Sequence, residues 1–300
     1  MEWLERIAHL RRGTPAGERD PDQALLLLHV LGRLQRYGFQ PVRFREVEGA
    51  LARLIAEYGP PKPINPGPAF HRLGGDLWDV ASADGSALSS PDPDALRAAD
   101  AAGRLTPAFA KELLADPALL GRVVRLLLDI NFEPSLHAEI CAGAGVHVEF
   151  ADLMALAHQF DGASLSLGRE ATDRQRVLVA YACRCAFCGF EGWLGSSVVG
   201  LEPARLRWRA FNGTDDLTNC VCLCALHHRL LDKGVVGLTP AGMILVSRHF
   251  VGTTPAAREQ VLALAGRLAR SPQRGFPGPD GRNLEWHARQ VFRGPTRPAL

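Results

Sequence analysis

Two short ligand pairs, separated by residues 189–223, constrain this chain more than any other feature. Cys185-Ala186-Phe187-Cys188 sets two thiols two residues apart, and Cys224-Ala225-Leu226-His227 repeats the spacing with a thiol and an imidazole. Two such knuckles supply the four soft or borderline ligands that Zn²⁺ takes in tetrahedral structural sites. Six of the seven cysteines lie between Cys183 and Cys224. An odd total with six cysteines packed into one segment reads as metal binding, not as a disulfide framework. Cys220, Cys222 and Cys224 alternate along a predicted strand and so share a face, which leaves Cys222 able to stand in for one ligand. Cys183 and Cys220 read as packing residues. The bland alternative for the whole set is reduced cysteines packed as small apolar side chains.

At 300 residues the chain has room for two domains, and a hydrophobic share of 47% supports real cores. No apolar run approaches the roughly 20 residues of a membrane helix. The charged start, Met1-Glu2-Trp3-Leu4-Glu5-Arg6, has no signal-peptide core, so a soluble, cytoplasmic protein is expected. The net charge of +2 hides an asymmetry: residues 166–300 hold 18 Lys and Arg against 10 Asp and Glu, and residues 1–165 hold 16 against 22. A basic half suits a polyanion such as DNA. Within the acidic half, residues 33–72 hold seven basic and three acidic residues, which is where a DNA face of that half is expected. Charges that merely keep surfaces solvated would give the same counts.

Helical periodicity dominates the first half. Trp3, Leu4, Ile7 and Leu10 share one face. Asp20-Pro21 predicts a cap for a helix striped with Leu25, Leu28, Leu31 and Leu34 and ending near Gly38. Pro41 is expected to open a third, with Phe44, Val47, Leu51, Leu54 and Ile55. Gly59–Pro68, with five prolines, reads as loop, and Leu77–Val80 as a short strand. Thr106-Pro107 and Asp116-Pro117 predict further capped helices, the second running through Leu119, Val123, Leu126 and Leu127. These elements suggest a mostly helical, winged-helix-like unit. The polar stretch Asp161–Asp173 is the expected linker, giving domains 1–165 and 166–300. A helix is expected at Arg174–Tyr181 and another at Pro255–Ala269, in a Gly- and Pro-rich extension. The overall class is α+β.

Between the knuckles stand Leu201-Glu202-Pro203-Ala204-Arg205-Leu206-Arg207-Trp208, the turn Asn212-Gly213-Thr214-Asp215-Asp216, and Leu217-Thr218-Asn219-Cys220. His227-His228 and Leu231-Asp232-Lys233-Gly234 follow. Strand, loop, strand and helix with paired zinc knuckles resemble the HNH (ββα-metal) endonuclease module over about residues 180–247. The resemblance implies that Asn219 orients the site and that His228 holds a divalent metal, Mg²⁺ or Mn²⁺, beside the scissile phosphate, with His227 spent on zinc. The metal would polarise the phosphoryl oxygen and stabilise the leaving group. Asn219 as a turn residue and His228 as a surface cap are the bland alternatives. The family's general-base His falls on Arg205, in Ala204-Arg205-Leu206. A guanidinium stays protonated and offers no acceptor, so it cannot deprotonate water. Losing a general base costs about 10²–10⁴-fold in rate. Arg205 could still bind the phosphate, and Ala204 offers no ligand atom.

Read together with that module, the first half resembles the type IV restriction endonucleases that read phosphorothioated DNA, built as a sulfur-binding domain followed by HNH. The matching stretches are Leu25–Leu34, Tyr58-Gly59-Pro60-Pro61, Ala69-Phe70-His71-Arg72-Leu73 with Leu77-Trp78, Asn131-Phe132-Glu133-Pro134-Ser135-Leu136-His137, and Trp286–Pro295. Sulfur in a phosphate is larger, softer and a poorer acceptor than oxygen, so an apolar cavity admits it at little cost. The resemblance implies that Phe132, Pro134 and Leu136 shape that cavity on a DNA-binding turn that includes Ser135. His71, Arg72 and His137 would contact backbone or bases. Core packing of Phe132 and Leu136, and a solvated Arg72, are the alternatives. Two departures stand out: Pro21-Asp22-Gln23-Ala24 precedes the leucine run, and Glu133 puts an anion beside the cavity.

The resemblance therefore implies an endonuclease acting on double-stranded DNA that carries phosphorothioate linkages. Cutting both strands takes two modules, which a homodimer would supply. Arg205 motivates one alternative, a modified-DNA-binding protein with weakened cleavage. The basic second half motivates another, a zinc-stabilised DNA-binding regulator without sulfur preference.

Overall fold

Four successive leucines cannot all point to one side of an amphipathic helix, so the element that carries them has to be surrounded. In the computed structural model, which describes residues 2–11, 17–74, 76–147 and 169–299, Leu25, Leu26, Leu27 and Leu28 are all fully buried. They lie in α2 (Asp22–Tyr37), which follows α1 (Glu2–Ala8). Around it pack α3 (Phe44–Tyr58), α4 (Gly67–His71), α7 (Pro117–Asp129) and α8 (His137–Ala144). A methyl on Gly32 would stand 2.6 Å from the carbonyl oxygen of Gly145, so glycine at this position lets the end of α8 close on α2.

The chain divides into two compact units, Met1–Gln159 and Phe160–Leu300. Of the expected linker, residues 161–168 lie outside the described residues. In the first unit β1 (Val42–Arg43), β2 (Trp78–Ala81) and β3 (Ala102–Leu105) form an antiparallel sheet in the order β1-β3-β2. The register pairs Val42 with Gly103 and Trp78 with Leu105. α5 (Pro93–Ala98) lies between β2 and β3, and α6 (Pro107–Ala115) after them.

Several expected boundaries move for identifiable reasons. α3 begins at Phe44 and not at Pro41, because Val42 and Arg43 are spent as β1. α4 starts inside the predicted loop, behind Pro66. Asp20 does not cap α2: its carboxylate lies 2.6 Å from Lys62 Nζ, which also reaches Asp22 at 3.1 Å, and Pro21 holds the cap position. Asp116 does cap α7, accepting from Ala118 N at 2.9 Å, whereas the Thr106 hydroxyl donates to Asp76 O instead.

The second unit begins with α9 (Arg169–Ala180) and a two-stranded hairpin, β4 (Trp193–Leu194) and β5 (Ser197–Val198). β6 (Leu201–Arg205) then pairs antiparallel with β7 (Cys220–Cys224), Leu201 facing Cys224 and Arg205 facing Cys220. α10 (Ala225–Asp232) follows without a gap and packs on β6. β8 (Val236–Leu238) and β9 (Ile244–Val246) form a last hairpin. The expected long helix from Pro255 ends early, as α11 (Pro255–Gln260) and a 3₁₀ turn, Leu262–Leu264. Residues beyond it run along β9 instead: Ile244 N donates to Arg267 O, and Gly266 N to Ile244 O.

The C-terminal extension is part of the core of this unit. It closes with α12 (Gly281–Gln290), whose Trp286 ring lies 6.0 Å from Trp208 and 5.4 Å from Phe211. The buried His287 donates from Nε2 to Leu231 O at 3.0 Å, which anchors α12 to the end of α10. No helix among the described residues is long and apolar enough to cross a membrane.

Candidate functional site

The four knuckle residues converge. Ligand atoms of Cys185, Cys188, Cys224 and His227 all lie within 4.8 Å of one another. Cys185 Sγ is 3.5 Å and Cys224 Sγ 3.1 Å from His227 Nδ1, and the Cys188 and Cys224 sulfurs are 4.0 Å apart. A tetrahedral zinc with sulfur at about 2.3 Å needs its ligands roughly 3.8 Å from one another, so the set fits the ion. His227 Nε2 donates to Gln260 O at 2.8 Å, which leaves Nδ1 with its lone pair toward the thiols, the outer-sphere arrangement metal-binding histidines use. Burial pushes the Cys188 thiol up, and the hydrogen bond that Phe190 N donates to Cys188 Sγ at 3.4 Å offsets part of that. The hydrogen bond between Cys224 and Cys185 holds the Cys185 thiol low and pushes the Cys224 thiol up. A divalent cation would take both as thiolates and release their protons.

Cys222 stands outside this group. Burial pushes its thiol up to about 12, so it stays neutral and serves as packing with Cys220. Their shared face with Cys224 was legible from alternation, and the two-residue spacing to His227 picked out Cys224, at the strand end, as the member that joins the cluster.

Asn219 is fully buried at the mouth of β7. Its Oδ1 accepts from Arg207 N at 2.8 Å, and its Nδ2 donates to Arg207 O at 2.8 Å and to Thr214 O at 2.7 Å. Every polar atom of the side chain is spent on the backbone of the loop between β6 and β7. Asn219 therefore shapes the loop and, with no exposed surface, cannot touch a substrate directly. Gly213 is needed in the same place: a Cβ there would fall 1.7 Å from Arg207 O and 2.9 Å from Asn219 Nδ2.

That loop aims Arg205 and Arg209 at one carboxylate. Arg205 Nε donates to Asp215 Oδ1, and Arg209 Nη2 to Asp215 Oδ2 at 2.5 Å. Burial opposes ionisation of Asp215, yet the hydrogen bonds from Arg205 and then Arg209 hold it below the ordinary carboxylate range. Two guanidiniums thus converge on an internal anion, as they would on a phosphate.

His228, on the adjacent face of α10, is half-buried. Its Nδ1 lies 2.9 Å from Glu202 Oε2 on β6, and its Nε2 lies 3.5 Å from Asp232 Oδ2, one turn further along the helix. Neither carboxylate was picked out from the sequence. The signals were there: Glu202 shares a strand face with Ala204, and Asp232 follows His228 at helical i,i+4 spacing.

In the first unit, Pro134–Leu136 form a 3₁₀ turn that runs into α8. Phe132 and Leu136 are 1% and 2% exposed, so they pack behind the turn and do not line an open cavity with their own surface. Pro134 is exposed and Ser135 half-buried, and these two form the accessible face. His137 also differs from the expected contact residue. It is buried, donating from Nε2 to Phe132 O at 3.3 Å, with Nδ1 3.9 Å from Asp129. Burial pushes its pKa down, against the pull of Asp129. Glu133 is buried at the cap of the turn, where its carbonyl accepts from Leu136 N at 3.0 Å. His71 is half-buried at the end of α4 and donates from Nε2 to Leu88 O at 3.1 Å, while Arg72 is exposed. Arg72 is positioned through its backbone: its carbonyl accepts from Gln23 Nε2 of α2 at 2.7 Å.

Residues 1–149 match the family model described as ScoMcrA-like, DNA sulfur-binding domain. Among solved structures, a modification dependent TagI restriction endonuclease matches with a TM-score of 0.28 and 21% identity. The match covers 39% of this chain and 36% of that one, a likeness too slight to define a fold. No curated protein matches this chain.

Proposed function

We propose, from the premise that residues 1–149 belong to the ScoMcrA-like family of DNA sulfur-binding domains, that this chain is a modification-dependent endonuclease directed to phosphorothioated DNA. The family match is the observation that carries the reading. In this account residues 1–165 locate a modified phosphate and residues 166–300 hydrolyse a phosphodiester nearby. The exposed Pro134, with Ser135 beside it, presents the apolar contact that sulfur accepts and hydrated oxygen resists. Phe132, Leu136 and His137 hold the turn from behind. The exposed Arg72 supplies donors to the remaining phosphate oxygens, and His71, tied to Leu88 O, positions it.

The second unit supports an HNH (ββα-metal) reading through the order β6, loop, β7, α10, stapled by the Cys185, Cys188, Cys224 and His227 cluster. Asn219 immediately precedes β7 and His228 lies on α10. His228 would hold Mg²⁺ or Mn²⁺, which supplies charge stabilisation at the phosphoryl and leaving oxygens. Arg205 and Arg209 would grip the phosphate now mimicked by Asp215. Because Arg205 cannot accept a proton, water activation must come from another group, and a reader with weakened cleavage is the second reading that Arg205 favours.

The test is cleavage of two otherwise identical plasmids, one phosphorothioated, by zinc-loaded protein in Mn²⁺. Cutting of the modified plasmid alone is expected. Cutting of neither, unrelieved by Arg205→His, would reduce the protein to a reader; equal cutting of both would overturn sulfur-directed cleavage.

A further inference from the structure

We infer that Glu202 and His228 together hold the divalent ion of the second unit, with Asp232 as the carboxylate that orients the histidine. This rests on the reading of residues 201–232 as a nuclease-type module, and it names a ligand that this reading lacked.

Strand alternation puts Glu202 and Ala204 on one face of β6. Ala204 is buried and offers no ligand atom, whereas the carboxylate two residues earlier reaches the α10 histidine. The Glu202 Oε2 to His228 Nδ1 distance is 2.9 Å. Two neighbouring ligands of an octahedral ion, each about 2.1 Å from it, lie about 3.0 Å apart. The pair is thus spaced as adjacent ligands of one cation as well as for a hydrogen bond.

Asp232 places an acceptor beside the other ring nitrogen of His228. It is 3% exposed, and its Oδ2 faces His228 Nε2 at 3.5 Å. With the Nε2 proton directed to this carboxylate, the lone pair of a neutral ring lies on Nδ1, toward Glu202. Carboxylate–histidine–metal arrangements of this kind fix the tautomer and raise ligand basicity. Glu202 is exposed, so water can complete the shell, as Mg²⁺ requires when it binds through few protein ligands. The neighbouring His227 does not compete: successive helix residues project about 100° apart, and its own nitrogens face the thiols and Gln260 O.

Mn²⁺ binding to the full-length, zinc-loaded protein tests this, read as loss of the free-ion electron paramagnetic resonance signal. One Mn²⁺ per chain beyond the zinc is expected. Glu202→Gln, on an exposed side chain, should weaken it at least tenfold with zinc content and Tm unchanged. Asp232→Asn should weaken it by about 10–100-fold, and His228→Ala should abolish it. Wild-type affinity in Glu202→Gln, or no second ion in the wild type, would overturn the proposal. DNA cutting by the wild type together with unchanged Mn²⁺ affinity in Glu202→Gln would sink the ligand assignment alone. Glu202-dependent Mn²⁺ binding without any cutting would keep the site and sink the nuclease reading.

Discussion

Asp215 is bound by Arg205 through one oxygen and by Arg209 through the other, so a single internal carboxylate is shared by both guanidiniums. A phosphodiester entering this loop must compete with that carboxylate. Asp215→Asn keeps the shape and removes the charge, so DNA affinity should rise. If one or two further phosphate contacts form, the slope of log affinity against log salt should steepen by about 1–2. Unchanged affinity and slope would mean that the two arginines do not meet DNA. The unusual Arg205 was visible in the sequence from its place before Leu206. Its partner was not, because a contact across ten residues of loop is set by the Asn219 staple and leaves no periodic trace.

The 3₁₀ turn Pro134–Leu136 separates two jobs that the sequence runs together. Phe132→Ala removes a fully packed ring and should cost about 3–5 kcal/mol of stability, read by thermal or denaturant unfolding. Pro134→Ala should leave stability nearly unchanged and reduce the preference for sulfur over oxygen in duplex binding. The reverse pattern would place the contact surface elsewhere. The sequence showed which residues form the segment, and periodicity found α2, α3 and α7. It could not show which side of the turn faces out, since apolar residues mark core and ligand pocket alike.

One half-buried and one buried histidine, His29 and His137, make the helices around α2 sensitive to acid. Burial pushes both His29 and His137 below their ordinary 6.5. A depressed folded-state pKa means that the unfolded chain binds protons first, so their stabilisation is full above pH 6.5 and is lost as pH falls toward the folded values. Asp22, raised by burial from 3.8, acts in the opposite sense and nearer the carboxylate range. The Tm of the first unit should therefore fall between pH 7 and pH 5, and replacing both histidines by Gln should flatten that fall. An equally steep fall in the double variant would assign the acid response to other groups.

For the whole molecule, the proposed function assigns reading to the first unit and metal-dependent chemistry to the second. The first has its own buried core around α2, and the second is closed by the Cys185, Cys188, Cys224 and His227 cluster together with α12. Structural zinc contributes on the order of 10 kcal/mol to small metal-stapled units, so a strong chelator should abolish the unfolding transition of the second unit and leave sulfur-dependent DNA binding in place. Loss of both would show that reading depends on the zinc unit. The zinc set was legible because ligand spacing is short-range, whereas the role of α12 was not, because a Trp286 that completes a core contacts residues far back in the chain.

The most direct test of the central claim is a titration of the full chain against two identical duplexes, one carrying a stereodefined phosphorothioate in each strand. It should span several sequence contexts at a stated, moderate salt concentration. Much tighter binding to the sulfur duplex is expected in at least one context, weakened by Pro134→Ala and Arg72→Ala. Equal affinity for both duplexes in every context would contradict it.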